Sequence, residues 1–146
     1  PKFRVGVFPW PSFSNRPGLP VDPVAPGSPP GAPGARRTEA PRAAARAAHA
    51  PYSGCPSGFA LPDVEGKVYP GGCLESAAYN PTLAPVQTAI IAMIAASGGS
   101  AGDVVAAALV EKEGAVAAQE ATARVFLAAV APQASFHVYK YRSSDV

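Results

Sequence analysis

A helix predicted over Pro85 to Ser97 constrains the fold more than any other stretch of this 146-residue chain. The segment carries no charged side chain, and its Ala-Ile-Ile-Ala-Met-Ile run is apolar on nearly all sides. A helix of this kind is normally buried, because water would otherwise meet apolar side chains on every face. Pro85 suits an early helical position, and the Gly98-Gly99 pair ends the helix. We therefore expect a central helix that is covered by a sheet and by neighbouring elements.

Two elements are predicted before the central helix. Residues 36–50 are rich in alanine and arginine, which favours a helix after Pro41, a residue that is tolerated in a first helical turn. Residues 57–72 predict a hairpin of two short strands, 58–61 and 67–69, around a turn that ends at Gly66. The Pro-Gly-Gly segment 70–72 is expected to end the second strand.

Three elements are predicted after the central helix. Residues 103–110 form a continuous apolar run, typical of a strand buried on both faces, with a charged end at Glu111 to Gly114. A helix is expected over 118–131. Residues 135–141 alternate with period two, which predicts a final strand. Strands separated by helices favour an α/β fold in which helices cover the sheet.

Proline sets the first residues apart from the rest of the chain. Ten of the eighteen prolines lie among residues 1–33, which leaves polyproline II and turns as the available conformations. We expect residues 1–38 to form an extended Pro-rich arm and residues 39–146 to form one domain. The arm carries apolar side chains suited to pockets on a partner protein, namely Phe3, Val5, Val7, Phe8, Trp10 and Phe13. The alternatives are an unstructured linker and an arm that folds back onto its own domain.

Composition excludes several classes of function. Only 15% of the residues are charged and the formal net charge is +2, so no nucleic-acid partner is indicated. No apolar run reaches the roughly 18 residues that a membrane span needs. The compartment stays undetermined; the mildly basic charge and the Arg/Ala-rich helix favour an organelle such as the mitochondrion, with the cytoplasm or a cytoskeletal assembly as alternatives.

Catalytic and metal-binding motifs are scarce. The two histidines, His49 and His137, stand apart from each other and from any Cys-x-x-Cys pair, and zinc needs three or four converging ligands. His137 alternates with apolar neighbours in the last predicted strand, and His49 lies at the end of the first predicted helix. We expect both to be structural residues, and no cofactor is predicted.

A series of short motifs nevertheless resembles the cytidine deaminase family in order and spacing. They are Pro51-Tyr52-Ser53, Gly58-x-Ala60-Leu61, Gly66-Lys67-Val68-Tyr69, Glu75-Ser76-Ala77-Ala78-Tyr79, Ala107-x-Leu109-Val110-Glu111-Lys112 and Gln119-x-x-Thr122-Ala123. The run from Glu75 to Gln87 is most similar to the second, degenerate domain of two-domain cytidine deaminases. The resemblance covers about two-thirds of the chain. It implies a three-layer α/β/α sandwich with a mixed five-stranded sheet.

The same resemblance implies what this chain has lost. An active deaminase places a Cys or His zinc ligand, an alanine and a proton-shuttling glutamate at the start of the central helix. Those positions hold Ala84, Pro85 and Val86 in this sequence. The segment from Glu111 to Gly114 stands where a further pair of cysteine ligands is expected.

Three more positions match substrate-contacting residues of the family, and they hold Cys55, Cys73 and Glu75. Glu75 retains the residue type of the family, and we expect its carboxylate to cap the turn that follows it. Cys55 and Cys73 replace two residues of one pocket, so they are expected to lie close together. Two buried free thiols are favoured over a disulfide or a metal-binding pair.

The sequence therefore predicts a non-catalytic, zinc-free structural subunit of a large protein assembly. Such a pseudo-enzyme would dock other subunits through its surface and its arm. The main alternative is the degenerate half of an active zinc-dependent cytidine deaminase whose catalytic domain is on another chain, so that pairing with another deaminase-like domain is expected. A binding module for a nucleoside-like ligand is the third hypothesis.

Overall fold

The computed structural model describes residues 33–78, 80–98 and 100–142, and gives the backbone alone for 33–37. The predicted arm, with Phe3, Val5, Phe8, Trp10 and Phe13, lies outside the described residues. The elements in chain order are α1 (Pro33–Ala47), β1 (Gly58–Pro62), β2 (Val68–Gly72), α2 (Pro85–Ser97), a short 3-10 helix (Ala101–Asp103), β3 (Ala106–Lys112), α3 (Glu120–Val130) and β4 (Ser135–Tyr141).

The described strands form one mixed sheet in the order β2-β1-β3-β4. β1 runs antiparallel to both of its neighbours, with Phe59 opposite Gly71 on β2 and opposite Leu109 on β3. β3 and β4 are parallel and are connected through α3. The mixed sheet agrees with the prediction, whereas the described part of the chain contains four strands and not the five that were expected.

Two glycines near the ends of strands show that a helix covers each face of the sheet. A Cβ on Gly58 would come within 2.1 Å of the Pro41 carbonyl oxygen in α1. A Cβ on Gly71, which points to the opposite face, would come within 2.2 Å of the Ala89 nitrogen in α2. Because neighbouring strand residues point to opposite faces, α1 and α2 lie on opposite sides of the sheet. The fold is therefore the predicted α/β/α sandwich.

The main core lies between the sheet and the helices α2 and α3. Its largest fully buried side chains include Phe59, Leu61, Met93 and Leu109. Ala123 and Leu127 bring α3 into the same cluster. Small alanines and glycines elsewhere allow the helices to approach the sheet closely.

Several predicted boundaries change in the structure. α2 has the predicted bounds, and β4 covers the predicted residues. α1 begins at Pro33, so Pro41 lies inside this helix and not in its first turn, and the expected boundary between arm and domain falls within α1. The Pro-Gly-Gly segment 70–72 is part of β2, and Glu111 lies inside β3.

The central helix is covered less completely than predicted. Gln87 accepts a hydrogen bond from the Ala84 amide at 2.8 Å at its start, and Gly98 ends it with a positive φ of 63°. One side of α2 packs on the sheet. Ile91 and Ile94 on the other side are each 53% exposed within the described part of the chain.

Candidate functional site

A cavity of about 700 Å³ opens where the loop before β1, the turn after β2 and the starts of α2 and α3 meet. Its lining includes Cys55, Cys73, Glu75 and Ala84, four of the six residues predicted to form a vestigial pocket. The other two, Pro85 and Val86, are buried at the start of α2 and do not line the cavity. Six further polar residues complete much of the wall and were quoted in the sequence only as parts of motifs, not as pocket residues: Ser53, Asn80, Thr82, Gln87, Gln119 and Thr122.

The carboxylate of Glu75 organises one side of this cavity. One oxygen accepts hydrogen bonds from the backbone amides of Tyr52 at 2.9 Å and Ser53 at 3.1 Å. The other oxygen accepts a short hydrogen bond from the Ser53 hydroxyl. Glu75 therefore holds the loop before β1, and the expectation that it caps the following turn is wrong.

The pKa of Glu75 reflects these contacts. Burial acts to raise the pKa of the carboxyl, but the hydrogen bonds from Ser53 and Tyr52 and the charge of His49 outweigh it, so the pKa lies below its ordinary value. A charged Glu75 is consequently the form that keeps this loop in place.

The two cysteines are free and buried in the cavity wall. The Cys55 thiol donates a hydrogen bond to the Ser53 carbonyl oxygen at 3.4 Å. The Cys73 sulfur accepts one from the Ser57 amide at 3.4 Å. Burial raises the pKa of the neighbouring Tyr141 to about 12, and its hydroxyl donates a hydrogen bond to the Pro56 carbonyl oxygen at 2.7 Å.

The start of α2 does not supply zinc ligands. Ala84, Pro85 and Val86 carry no nitrogen, sulfur or carboxylate donor on their side chains. Among residues 33–78, 80–98 and 100–142, no group of three or more His, Cys, Asp or Glu side chains could hold a metal ion. The residues present in this part of the chain therefore do not fit the zinc site that the resemblance places at the helix start.

A buried ion pair lies beside the cavity, next to the start of α3. Glu111 is only 1% exposed, although the sequence indicated a charged strand end. Its carboxylate pairs closely with Lys140 on β4 and accepts a hydrogen bond from the Gln119 amide at 2.6 Å. Lys140 also contacts Glu120 at 3.0 Å. This network fixes the start of α3, where Gln119 and Thr122 line the cavity.

Neither histidine lines the cavity. The backbone of His49 pairs with the segment that follows β2. Its amide donates a hydrogen bond to the Cys73 carbonyl oxygen at 2.9 Å, and its carbonyl oxygen accepts one from the Glu75 amide at 2.8 Å. His137 lies in β4, in register with Ala108 of β3. No helix in the described ranges is long and apolar enough to span a membrane.

Comparison with known proteins gives the family. The profile of the "Cytidine and deoxycytidylate deaminase zinc-binding region" matches residues 34–124, more than half of the chain. The chain therefore belongs to the cytidine and deoxycytidylate deaminase family, as the motifs predicted.

Curated relatives carry the same name. Cytidine deaminase 1 of Arabidopsis thaliana is 50% identical over 96 residues, which are 65% of this chain and 32% of the relative. Cytidine deaminase of Serratia proteamaculans is 44% identical over 89 residues, which are 61% of this chain and 30% of the relative. The Arabidopsis thaliana protein named "Probable inactive cytidine deaminase 4" is 47% identical over 97 residues, which are 66% and 38% of the two chains. This chain thus spans about a third of the length of the curated relatives it matches.

Solved structures support the fold. Cytidine deaminase from Burkholderia pseudomallei aligns with a TM-score of 0.61 and 28% identity, covering 75% of this chain and 84% of that chain. Cytidine deaminase from Mycobacterium tuberculosis aligns with a TM-score of 0.54 and 26% identity, covering 64% and 75%.

These relatives correct the functional prediction. The prediction that this chain is no enzyme is wrong, because relatives about half identical to it are named cytidine deaminases and a single one of those described above is named probably inactive. The structural subunit of an assembly finds no support in the comparisons, which favour the alternative of a deaminase half. The matching family is described by its zinc-binding region, so the prediction of a zinc-free protein is also without support. The error came from the substituted start of α2, which describes one domain, whereas the relatives are about three times as long as the segment that matches them.

Proposed function

We propose that this chain is one domain of a zinc-dependent cytidine deaminase, an enzyme that hydrolyses cytidine to uridine and ammonia. In this proposal the zinc ligands and the proton-transferring glutamate belong to a second deaminase-like domain outside the described residues. The loss of zinc ligands at the start of α2 then does not conflict with the family relationship, because the ligands belong to a different domain of the enzyme.

The exposed side of α2 is the observation that carries the pairing with a second domain. The helix has no charged side chain, yet Ile91 and Ile94 are each 53% exposed within the described residues. Helices that are apolar on all sides are normally covered on all sides. Burial of the exposed halves of the two isoleucines would contribute roughly 2–3 kcal/mol to an interface.

The length of the curated relatives indicates what covers the exposed side of α2. The residues matched here are 30–38% of the three curated relatives described above, so each relative has enough further chain for another domain of this size. We therefore assign the covering surface to the zinc-bearing domain, and not to an unrelated assembly partner.

A charge placed on this side of α2 tests the proposal. The natural full-length protein, carrying an affinity tag, is purified as wild type and as the double variant Ile91→Asp/Ile94→Asp. We expect the wild type to contain zinc and to deaminate cytidine, and the double variant to lose at least about tenfold in rate, because two carboxylates would be desolvated in the interface.

Val125→Asp is the matched control, since Val125 is 74% exposed on α3 and lies outside the proposed contact. Circular dichroism should give the same helix content for all three proteins. An undiminished deamination rate in the α2 double variant would contradict the pairing. A wild-type protein without zinc or cytidine deaminase activity would contradict the function itself.

A further inference from the structure

The outer edge of β4 is open in the part of the chain that the structure describes. β4 is the last strand in the order β2-β1-β3-β4, so β3 is its one strand partner there. The Ser135 amide donates to the Val105 carbonyl oxygen at 3.2 Å, and the Tyr141 carbonyl oxygen accepts from the Glu113 amide at 2.7 Å. Odd-numbered residues of β4 therefore turn their backbone groups toward β3, and the groups of the residues between them point the other way. The amides at the open edge are those of Phe136, Val138 and Lys140.

This edge lacks the features that protect exposed strands. Sheet edges are commonly kept from pairing by prolines, bulges, free charges or very short strands. β4 has seven residues, contains no proline and keeps a continuous register with β3. Its one formally charged side chain, Lys140, is held by Glu111 and Glu120. An edge of this kind is a ready template for another strand.

An apolar strip lies beside the same edge. Phe136 and Val138 pack against the main core but stay only partly buried. The Phe136 ring lies 5.8 Å from the Phe59 ring between centroids, and the Arg124 guanidinium lies 5.1 Å from its centroid. Side chains of a strand alternate between the two faces of a sheet. A strand added here would therefore cover the strip if every second residue were apolar.

Residues 2–8, which lie outside the described residues, carry this pattern in their sequence. The segment has seven residues, the same number as β4. Its alternation has period two, which is typical of a half-buried strand. The apolar positions are Phe3, Val5 and Val7, and the positions between them are Lys2, Arg4 and Gly6.

The connection to the domain is long enough for this segment to return to β4. α1 begins at Pro33 and packs on β1, β2 and β3. Residues 9–32 join the segment to this helix and can span about 75 Å at the rise of a proline-rich chain. Four strands span roughly 15 Å from first to last. A tethered segment has a high effective concentration at β4, which favours it over a separate chain.

We propose that residues 2–8 add to the outer edge of β4 as a further strand, with their apolar side chains packed on Phe136 and Val138. The added strand pairs the outward backbone groups of β4 and covers the apolar strip. Lys2 and Arg4 then lie on the opposite face, in contact with solvent. The proposal does not depend on the pairing through α2.

Amide hydrogen exchange, resolved by residue in the natural full-length protein, tests this pairing. We expect slow exchange along the whole of β4 in wild type. Deletion of residues 2–8 should speed exchange of the three outward amides at least about tenfold. The amides of His137 and Tyr139 point to β3 and should stay protected, which checks that the fold persists. Deletion of residues 22–28, which removes the same number of residues from the connection, is the matched control and should change neither set.

Point variants separate the two faces of the segment and replace the deletion if it fails to fold. Val5→Asp/Val7→Asp should release the outward amides, because two carboxylates would be placed against the apolar strip. Lys2→Asp/Arg4→Asp, on the solvent face, should leave them protected. Outward amides that exchange rapidly in wild type, or that stay slow without residues 2–8 because another segment covers β4, would overturn the proposal. Equal effects of the two double variants would also overturn it.

Discussion

Replacement of Lys140 by methionine should destabilise this domain strongly, because it would leave Glu111 charged and unpaired in the interior. Glu111 is 1% exposed, and apart from Lys140 its carboxylate has the Gln119 amide as a partner. Removal of one member of a buried ion pair costs about 3–5 kcal/mol. The Lys140 side chain is 41% exposed, so water screens part of the interaction. We therefore expect a loss of about 3 kcal/mol, the lower end of this range.

Thermal and urea unfolding of Lys140→Met measure this loss. For a domain of this size, about 3 kcal/mol corresponds to a fall in Tm of roughly 10 °C. The double variant Glu111→Gln/Lys140→Met should recover part of the stability, because the buried charge is gone. Arg142→Met is the control, since Arg142 pairs with Glu113 at 2.7 Å on the exposed surface and should cost less than about 1 kcal/mol.

The pH dependence of the Lys140 contribution follows from its pKa. Burial acts to lower this pKa, but Glu111 and Glu120 raise it further, so the folded-state pKa lies above the ordinary value. A raised folded pKa means that the stabilisation is fully present below the unfolded pKa of about 10.4. It is lost as pH rises through the folded value. Equal losses for Lys140→Met and Arg142→Met, or a difference unchanged well above pH 10.4, would refute the buried-pair account.

Three further predictions, one of them with a control variant, concern other parts of the structure. Ser57→Ala should stabilise the protein by about 1 kcal/mol in urea unfolding, because it removes a buried hydroxyl that has no hydrogen-bond partner among the described residues; a loss of stability would mean that the hydroxyl has a partner. Gly71→Ala should cost about 3 kcal/mol or prevent folding, since its Cβ would come within 2.2 Å of backbone in α2. Gly102→Ala, whose nearest contact would be 3.7 Å away, should be nearly neutral in the same assay. Glu75→Gln should speed amide hydrogen exchange at Ser53. In wild type the same loosening should appear as pH falls below about 4.5 and through the lowered pKa of Glu75; exchange that is independent of pH in that range would contradict the role of the carboxylate.

Local patterns in the sequence were sufficient to predict the elements with the clearest sequence signals. The uncharged run of α2, between a proline and a glycine, has the predicted bounds, and the alternation of β4 was read correctly. The Gly-Gly pair of β2 was misread as a strand end. Glycine at position 71 is required by the close approach of Ala89, a residue of α2 that local sequence does not place beside it.

Contacts between distant residues account for most of what the sequence did not predict. Glu111 resembled a solvated strand end because its partner Lys140 lies 29 residues away. Glu75 was expected to act on its own turn, whereas its partner Ser53 lies 22 residues earlier. The cavity was predicted in part, through Cys55, Cys73 and Glu75, since the family resemblance placed these positions in one pocket.

Native mass spectrometry of the natural protein, coupled to zinc analysis and a cytidine deamination assay, tests the central claim most directly. The tagged protein is isolated without denaturation, and mass, zinc content and activity are measured on the same sample. A zinc-bearing deaminase domain in the same polypeptide or complex, with activity that decreases in the Ile91→Asp/Ile94→Asp variant, is the predicted result. A stable complex that contains this chain without a zinc-bearing deaminase domain and without cytidine deamination would contradict the account.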